Sequence, residues 1–424
     1  YVIFAGLWDL LKSLENFSFS QEDIEYLKKQ GFKDEFLEYL QGFRFRGTIT
    51  SVQEGEVVFP VEPVLRVEGT LIECQLVETI LLNYLNFESL IATKASRIRR
   101  VAGDRPVSDF GLRRAQGLGG LQASRAAIIG GVNATSNVLA GFTYNVAITG
   151  TIAHSWVQSF DDELTAFRQY ANVFPENTVL LVDTYNTLNQ GIPNAIRVGH
   201  ELRKKGYQLK AIRLDSGDLA FLSKKARKML DEAGLHKTKI LASNQLDEYV
   251  IRSLLEQEAP IDGFGVGTEL ITGKKTAALD GVYKLSMNNH EPKLKLSDTY
   301  EKISLPGLKK VFRYFDPQGF FYADCIALDD ETDPELMHHP YEMNKKLRLT
   351  NLYKEPLYHK VFADGKILTT EHDTMAIQNY VQQRLKQLPV EHQRFEMPHI
   401  YKVGISDRLN QMRNTIIQKL RKSS

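Results

Sequence analysis

Apolar residues recur every three or four positions through 7-LWDLLKSLENF-17, 21-QEDIEYLKKQG-31 and 34-DEFLEYLQGF-43, the spacing that lines one face of a helix. Ser20 reads as an N-cap and Gly31 as a stop. From Phe43 the period shortens to alternation. The stretch 44-RFRGTITSVQEGEVVFPVEPVLRVEGTL-71 is rich in Val and Thr and broken by Gly and Pro, which predicts a small antiparallel sheet. The amphipathic segment 75–103 then predicts a helix, or a broken pair of helices, joining two domains.

The middle of the chain has another rhythm. Four apolar runs end in polar or acidic residues: 178-TVLLVDTYNT-187, 209-LKAIRLDSGD-218, 238-TKILASNQLD-247 and 261-IDGFGVGTEL-270. Helical patterns at 193–206, 219–234 and 247–257 separate them, and the first two close on Gly. Near-continuous apolar strands with helices between them suit a parallel sheet buried on both faces. The expected fold is α/β, an irregular TIM-like barrel. A doubly wound open sheet is the alternative, although no G-x-G-x-x-G opens a helix after the first strand of a unit.

Beyond residue 283 the pattern suggests strands and turns, then a helix over about 370–388 and a basic helix from Ser406 whose charge reads as a solvated face. The expected organisation is therefore an N-terminal α+β region at 1–90, a barrel at 91–285, and C-terminal strands and helices at 286–424. The chain opens at Tyr1 with an apolar strand running straight into a helix, from which a preceding segment is expected.

Composition changes this picture little. Fifty-three basic residues against 52 acidic ones give a net charge of +1, so nothing points to nucleic acid or an anionic membrane, and anion binding must be local. Two cysteines far apart in sequence exclude a disulfide framework or thiolate metal site and suit a reducing cytoplasm. No apolar run is long enough to span a membrane, and no signal peptide is visible.

In a barrel, catalytic groups come from the carboxyl ends of different strands. That rule collects Asp183, Arg213, Asp215, Asp218, Asn244, Gly265, Gly267 and Thr268, together with 107-VSDFGLRRAQG-117 and 147-AITGTIAHSWV-157. Arg213 suits a carboxylate or phosphate bidentately. Asp215 and Asp218 flank a Ser-Gly turn and suit vicinal hydroxyls or a water-held Mg²⁺; alternatively, Asp218 caps the next helix. Gly267 and Thr268, at a helix start, suit a phosphate cradle or a plain tight turn. Arg113 and Arg114 suit an anion clamp or an ordinary surface pair. His154 follows Gly150 and Thr151 at a strand-like end and is either a packed residue or a reactive one. The acids of 160-FDDE-163 read as the start of the next helix.

Taken in order, 91-IATKASR-97, 107-VSDFGLRRAQG-117, 149-TGTIAHSWV-157, 182-VDTYNT-187, 213-RLDSGDL-219, 242-ASNQLDE-248, 263-GFGVGTEL-270 and 304-SLPGLKKVFR-313 resemble the nicotinate phosphoribosyltransferase family. The resemblance implies a type II phosphoribosyltransferase barrel with an additional α+β domain built from both ends of the chain. It implies phosphoribosyl transfer from phosphoribosyl pyrophosphate to nicotinate, giving nicotinate mononucleotide, with Mg²⁺ and with ATP as co-substrate. His154 matches the family's phosphorylated histidine, Thr151 and Arg213 its nicotinate positions, and Thr268 with Gly267 its 5′-phosphate turn. Asp215 and Asp218 match acids near the ribose and metal. Asp109, Arg113 and Asn244 are carried as substrate-binding candidates, Phe87 or Tyr185 as stacking surfaces, and a homodimer with shared sites as the assembly. A relative acting on nicotinamide, which Asp109 would meet at its amide, or on quinolinate, is one alternative; a non-catalytic nucleotide-binding barrel is another.

Overall fold

Six short strands carry the middle of the chain: β1 (Val107–Asp109), β2 (Ala134–Thr135), β3 (Val179–Leu181), β4 (Ala211–Leu214), β5 (Lys239–Ser243) and β6 (Gly263–Val266). They form one parallel sheet in the order β2-β1-β6-β5-β4-β3. The last strand lies beside the first, so the order is cyclic. That is the order of a barrel, whereas a doubly wound sheet runs outward in both directions from its first strand.

The barrel is irregular at one seam. The strand expected at 146–149 contributes a single bridge, Ile148 to Thr135. From that segment to β3 and β4, side chains make the connection, and they are the side chains of the candidate site.

The helices between strands start where the sequence supplies acids. Asp162, Asp218 and Asp247 cap helices Glu163–Val173, Leu219–Glu232 and Glu248–Glu256, each carboxylate accepting from a backbone N–H of the first turn. A π-helical turn at Thr187–Gly191 precedes helix Ile192–Lys204. Gly191 is required there, because a Cβ would stand 1.8 Å from the Val182 carbonyl oxygen. The turn is thereby pressed onto the end of β3, directly before Asp183.

In this computed structural model all residues except 298, 300–302, 343, 371, 372 and 424 are described. The chain divides into two units, residues 90–278 around the barrel strands and residues 1–89 with 279–424. In the second unit the two chain ends share one core, with Leu10, Leu11, Phe45 and Ile49 packing among Val311, Ile326, Phe362 and Ile405. The alternating segment after Phe43 pairs Thr48–Val52 with Leu65–Glu68, and also with Tyr358–Ala363, antiparallel. Lys309–Phe315 and Phe321–Leu328 form a hairpin in a six-stranded sheet.

The long amphipathic segment is a broken pair of helices, Leu71–Leu76 and Glu78–Ala102. Ser20 caps Gln21–Lys29 in a reciprocal box with Asp23. The helix expected over 370–388 is Thr374–Gln387, residues 371 and 372 lying outside the described set.

Candidate active site

Arg213 leaves β4 with its side chain 15% exposed and its guanidinium already held on three sides. Nε donates to Ser243 Oγ at 2.8 Å, Nη1 to Thr151 Oγ1 at 2.7 Å, and Nη2 to Asp215 Oδ1 at 2.8 Å. A guanidinium has five N–H donors, so one on each terminal nitrogen remains for a ligand. Beneath it lies the Phe110 ring, 5.2 Å from Cζ. Phe110 has that place because residue 265 is glycine: a Cβ there would meet the ring at 2.4 Å. Gly265 thus makes room for an aromatic platform.

Asp215 is the anionic partner. Burial pushes its carboxyl up, but the Arg213 charge, the Ser243 hydroxyl, the Arg213 hydrogen bond and His154 together hold it below the usual carboxylate range. Its Oδ2 stands 3.6 Å from His154 Nε2.

His154 opens the short helix His154–Gln158, with its side chain 39% exposed. Nε2 faces two acids, Asp215 at 3.6 Å and Asp183 Oδ1 at 3.8 Å, while Nδ1 lies 3.1 Å from Thr184 Oγ1. Nδ1 and the Thr184 hydroxyl share one hydrogen bond, whose direction follows the tautomer of the ring. Asp183 is itself fixed, since its Oδ2 accepts from the Asp215 N–H at 2.9 Å and from Ser216 Oγ at 2.5 Å. Arg213 to Thr151 and His154 to Thr184 are the links that cross the barrel seam.

Thr151, His154, Asp183, Arg213 and Asp215 are therefore brought together. Asn244 follows Ser243 directly and is exposed at φ 88°, with Gln245 next at φ 45°. Two successive non-glycine residues in the left-handed region mark a strained turn of the kind that functional sites retain. Gly267 and Thr268 stand at the end of β6, where Thr268 begins a four-residue helix. Arg113 and Arg114 lie exposed in a 3₁₀ turn after β1.

Two expectations change. Asp218 is an exposed helix cap whose Oδ1 accepts from Phe221 N–H at 3.0 Å, and no hydrogen bond joins it to the Arg213 cluster. Asp109 is fully buried rather than facing a ligand. Its Oδ1 accepts from Gly111 N–H, and its Oδ2 accepts from Ser124 and Thr135 hydroxyls at 3.0 and 2.7 Å, tying β1 to its neighbours. Burial raises its carboxyl despite those three donors. Tyr185 is exposed, and Phe87 belongs to the other unit. Sequence reasoning missed Phe110, Thr184 and Ser243. Only Phe110 left a signal, the glycine in a buried neighbouring strand.

The carboxyl ends of the strands gather cation, acid and imidazole on one side of a parallel ring, which places the protein among α/β-barrel enzymes acting on anionic substrates. The nicotinate phosphoribosyltransferase (NAPRTase) family profile matches residues 106–338, and the family's N-terminal and C-terminal domain profiles match residues 1–86 and 308–413. The chain is 43% identical to a nicotinate phosphoribosyltransferase of Bacillus subtilis, over 96% of this chain and 85% of the relative. It is 38% identical to one of Caenorhabditis elegans, over 98% and 86%. The crystal structure of human nicotinic acid phosphoribosyltransferase superposes with a TM-score of 0.88 at 30% identity, covering 98% of this chain and 92% of that one. A nicotinate-nucleotide pyrophosphorylase of Pyrococcus furiosus, at TM-score 0.71 and 24% identity over 91% and 85%, shares the fold. The chain belongs to the nicotinate phosphoribosyltransferase family and is an enzyme of that type.

Proposed function

We propose that the protein transfers the phosphoribosyl group of phosphoribosyl pyrophosphate to the ring nitrogen of nicotinate, releasing pyrophosphate and nicotinate mononucleotide, and that ATP hydrolysis drives the transfer through phosphorylation of His154. The observation that carries this reading is the Arg213 fork, with two donors to spare, beside a histidine set between two acids. Arg213 takes the nicotinate carboxylate, Thr151 and Ser243 hold the guanidinium in place, and the pyridine ring lies against Phe110. Asp109 is fully buried with both oxygens hydrogen-bonded inside the fold and does not present itself to a carboxamide, which favours nicotinate over nicotinamide.

Displacement at the anomeric carbon passes through an oxocarbenium-like state, so catalysis rests on positioning and on stabilising the leaving diphosphate. Arg113 faces that diphosphate, the Gly267–Thr268 turn takes the 5′-phosphate, and Asn244 lines the strand end between them. Mg²⁺ suits a site with few carboxylates because it keeps its waters and binds through substrate phosphates. Asp218, exposed and with only Oδ1 used in capping, fits a water-mediated contact to it, whereas Asp215 is committed to Arg213 and Ser243. The metal supplies charge neutralisation for the departing diphosphate.

Proton placement in His154 follows from its neighbours. With Nε2–H held toward Asp183 and Asp215, Nδ1 is the phosphoryl acceptor, and Thr184 yields its hydrogen bond on phosphorylation. A homodimer with shared sites completes the proposal, and exposed Val138, Leu139 and Phe142 on helix Val138–Tyr144 support a covered surface. Both cysteines are free thiols, which suits the cytoplasm, and among the described residues no helix is long and apolar enough to cross a membrane.

The test is incubation with nicotinate, phosphoribosyl pyrophosphate, Mg²⁺ and ATP while following nicotinate mononucleotide. Product whose yield rises with ATP is expected. Ligand binding without product would instead establish a non-catalytic barrel.

A further inference from the structure

The turn that follows β5 is pinned at both ends. Ser243 is bonded to Arg213 and Asp215, Asn244 and Gln245 then sit at φ 88° and 45°, and Asp247, two residues beyond them, is buried with both oxygens in use. Its Oδ1 accepts from the Tyr249 and Val250 N–H groups at 2.9 and 2.8 Å, and its Oδ2 accepts from Lys275 Nζ at 2.5 Å. Lys275 comes from the loop after β6, where its Nζ stands 4.5 Å over the Tyr249 ring and its backbone holds φ 80°. A lysine in the left-handed region persists only where its surroundings over-determine it.

The residue before it makes the matching contact on its own loop. Lys274 Nζ donates to Oε1 of buried Glu269 at 2.6 Å, and Glu269 belongs to the four-residue helix that Thr268 begins. Thr272 closes the same loop, its hydroxyl donating to the Thr268 carbonyl at 2.7 Å. Both lysines are exposed and both acids are buried, so losing an ammonium leaves a buried charge without its partner. We propose that Lys274 and Lys275 are positioning residues for the phosphoribosyl donor: side by side in sequence, they staple the turn after β5, with Asn244, to the turn after β6, with Gly267 and Thr268. The proposal rests on the reading that those two turns face the donor. Arg213 is bonded at the Ser243 end of the turn and the staple at the Asp247 end, so the donor's site should feel its loss before the nicotinate site does.

Charge around the staple alternates. Lys94 Nζ lies 2.7 Å from Glu248 Oε2 and Arg97 Nε 3.1 Å from Glu248 Oε1, so the acid next to Asp247 has cations of its own and leaves Lys275 to Asp247. Burial pushes the Asp247 carboxyl up, but the Lys275 and Val250 hydrogen bonds and the charges of Lys275 and Lys94 hold it below the usual carboxylate range. Asp247 is thus an anion that the turn can keep in place only with a cation beside it.

The experiment is steady-state kinetics of Lys275→Met and Lys274→Met at fixed ATP. In each, KM for phosphoribosyl pyrophosphate should rise about 5-fold while kcat and KM for nicotinate stay within about twofold, and Lys275→Arg should restore the wild-type KM. An unchanged donor KM in either variant, or KM values for both substrates rising together, overturns the proposal. Should Lys275→Met not fold, Lys275→Gly removes the same ammonium while relieving the backbone, and the same shift in donor KM is expected of it. Hydrogen exchange on the peptide holding residues 243–250 needs no substrate: faster exchange in the Lys275 variant than in wild type is expected, and equal exchange overturns the staple. A wild type that forms no nicotinate mononucleotide instead sinks the transferase reading, and the exchange comparison still decides the staple.

Discussion

Arg213 and Arg313 are both held by aspartate beside an aromatic ring, yet they end in opposite states. Arg313, in the unit that joins the two chain ends, is 0% exposed and stands 4.1 Å from the Phe321 ring. It bonds both oxygens of Asp324, Glu56 at 2.5 Å and the Val57 carbonyl at 2.7 Å. Arg384 meets Glu56 at 2.9 Å and also stacks on Phe321, while Tyr401 donates to Asp324. Glu56 stays below the usual carboxylate range because the two arginines together outweigh its burial. Arg313 is bonded through four of its five N–H groups and has no approach for solvent. Arg213 has partners enough to be fixed and donors left over. The same residue types thus build a structural knot when sealed from solvent and a binding site when left partly open with donors to spare.

Substitutions break or sharpen that contrast. Arg313→Met should strand two buried carboxylates and cost about 3–5 kcal/mol of unfolding free energy in a urea titration, while the folded fraction keeps its KM for nicotinate. Arg213→Lys should do the reverse: loss of the fork lowers kcat/KM for nicotinate about 100-fold, equivalent to roughly 2–3 kcal/mol, with a nearly unchanged urea midpoint. Asp218→Ala removes a helix cap and should cost about 1 kcal/mol of stability whatever happens to activity.

The smallest effect concerns pH. The fold lowers the Asp215 carboxyl, so its contribution to stability is present above its unfolded value of about 3.9 and is lost as pH falls through the folded value. Asp215→Asn should therefore flatten the acid limb of a plot of melting temperature against pH. Glu163, raised by burial, acts in the opposite sense, since its contribution is present below its unfolded value of about 4.3 and lost as pH rises through the folded one.

Much of this site was legible because strand ends announce themselves. Arg213, Asp215 and Asp183 each end an apolar run, and the barrel rule alone groups them. Asp218 shows where spacing carries two readings at once: three residues after Asp215 it is also the residue before a helix, and an unmet N–H of the first turn takes one oxygen of its carboxylate. Gly265 looks like part of a phosphate turn in sequence but works by admitting Phe110. Thr184 and Ser243 were invisible, since a hydroxyl gains meaning only from the ring or guanidinium that folding sets against it. In the second unit the helices of residues 7–41 could be read from their period. The pairing of Thr48–Val52 with Tyr358–Ala363 could not, because strands some 300 residues apart leave no local mark on each other.

Labelling with ATP carrying radioactive γ-phosphate, followed by recovery of acid-labile phosphate and peptide mapping, addresses His154 itself. Label on the peptide containing residues 149–163 of the wild type is expected. In His154→Ala both the label and ATP turnover should vanish, while slow ATP-independent formation of nicotinate mononucleotide persists. Label on any other residue, or ATP hydrolysis surviving in His154→Ala, would contradict the assignment of His154 as the phosphoryl acceptor.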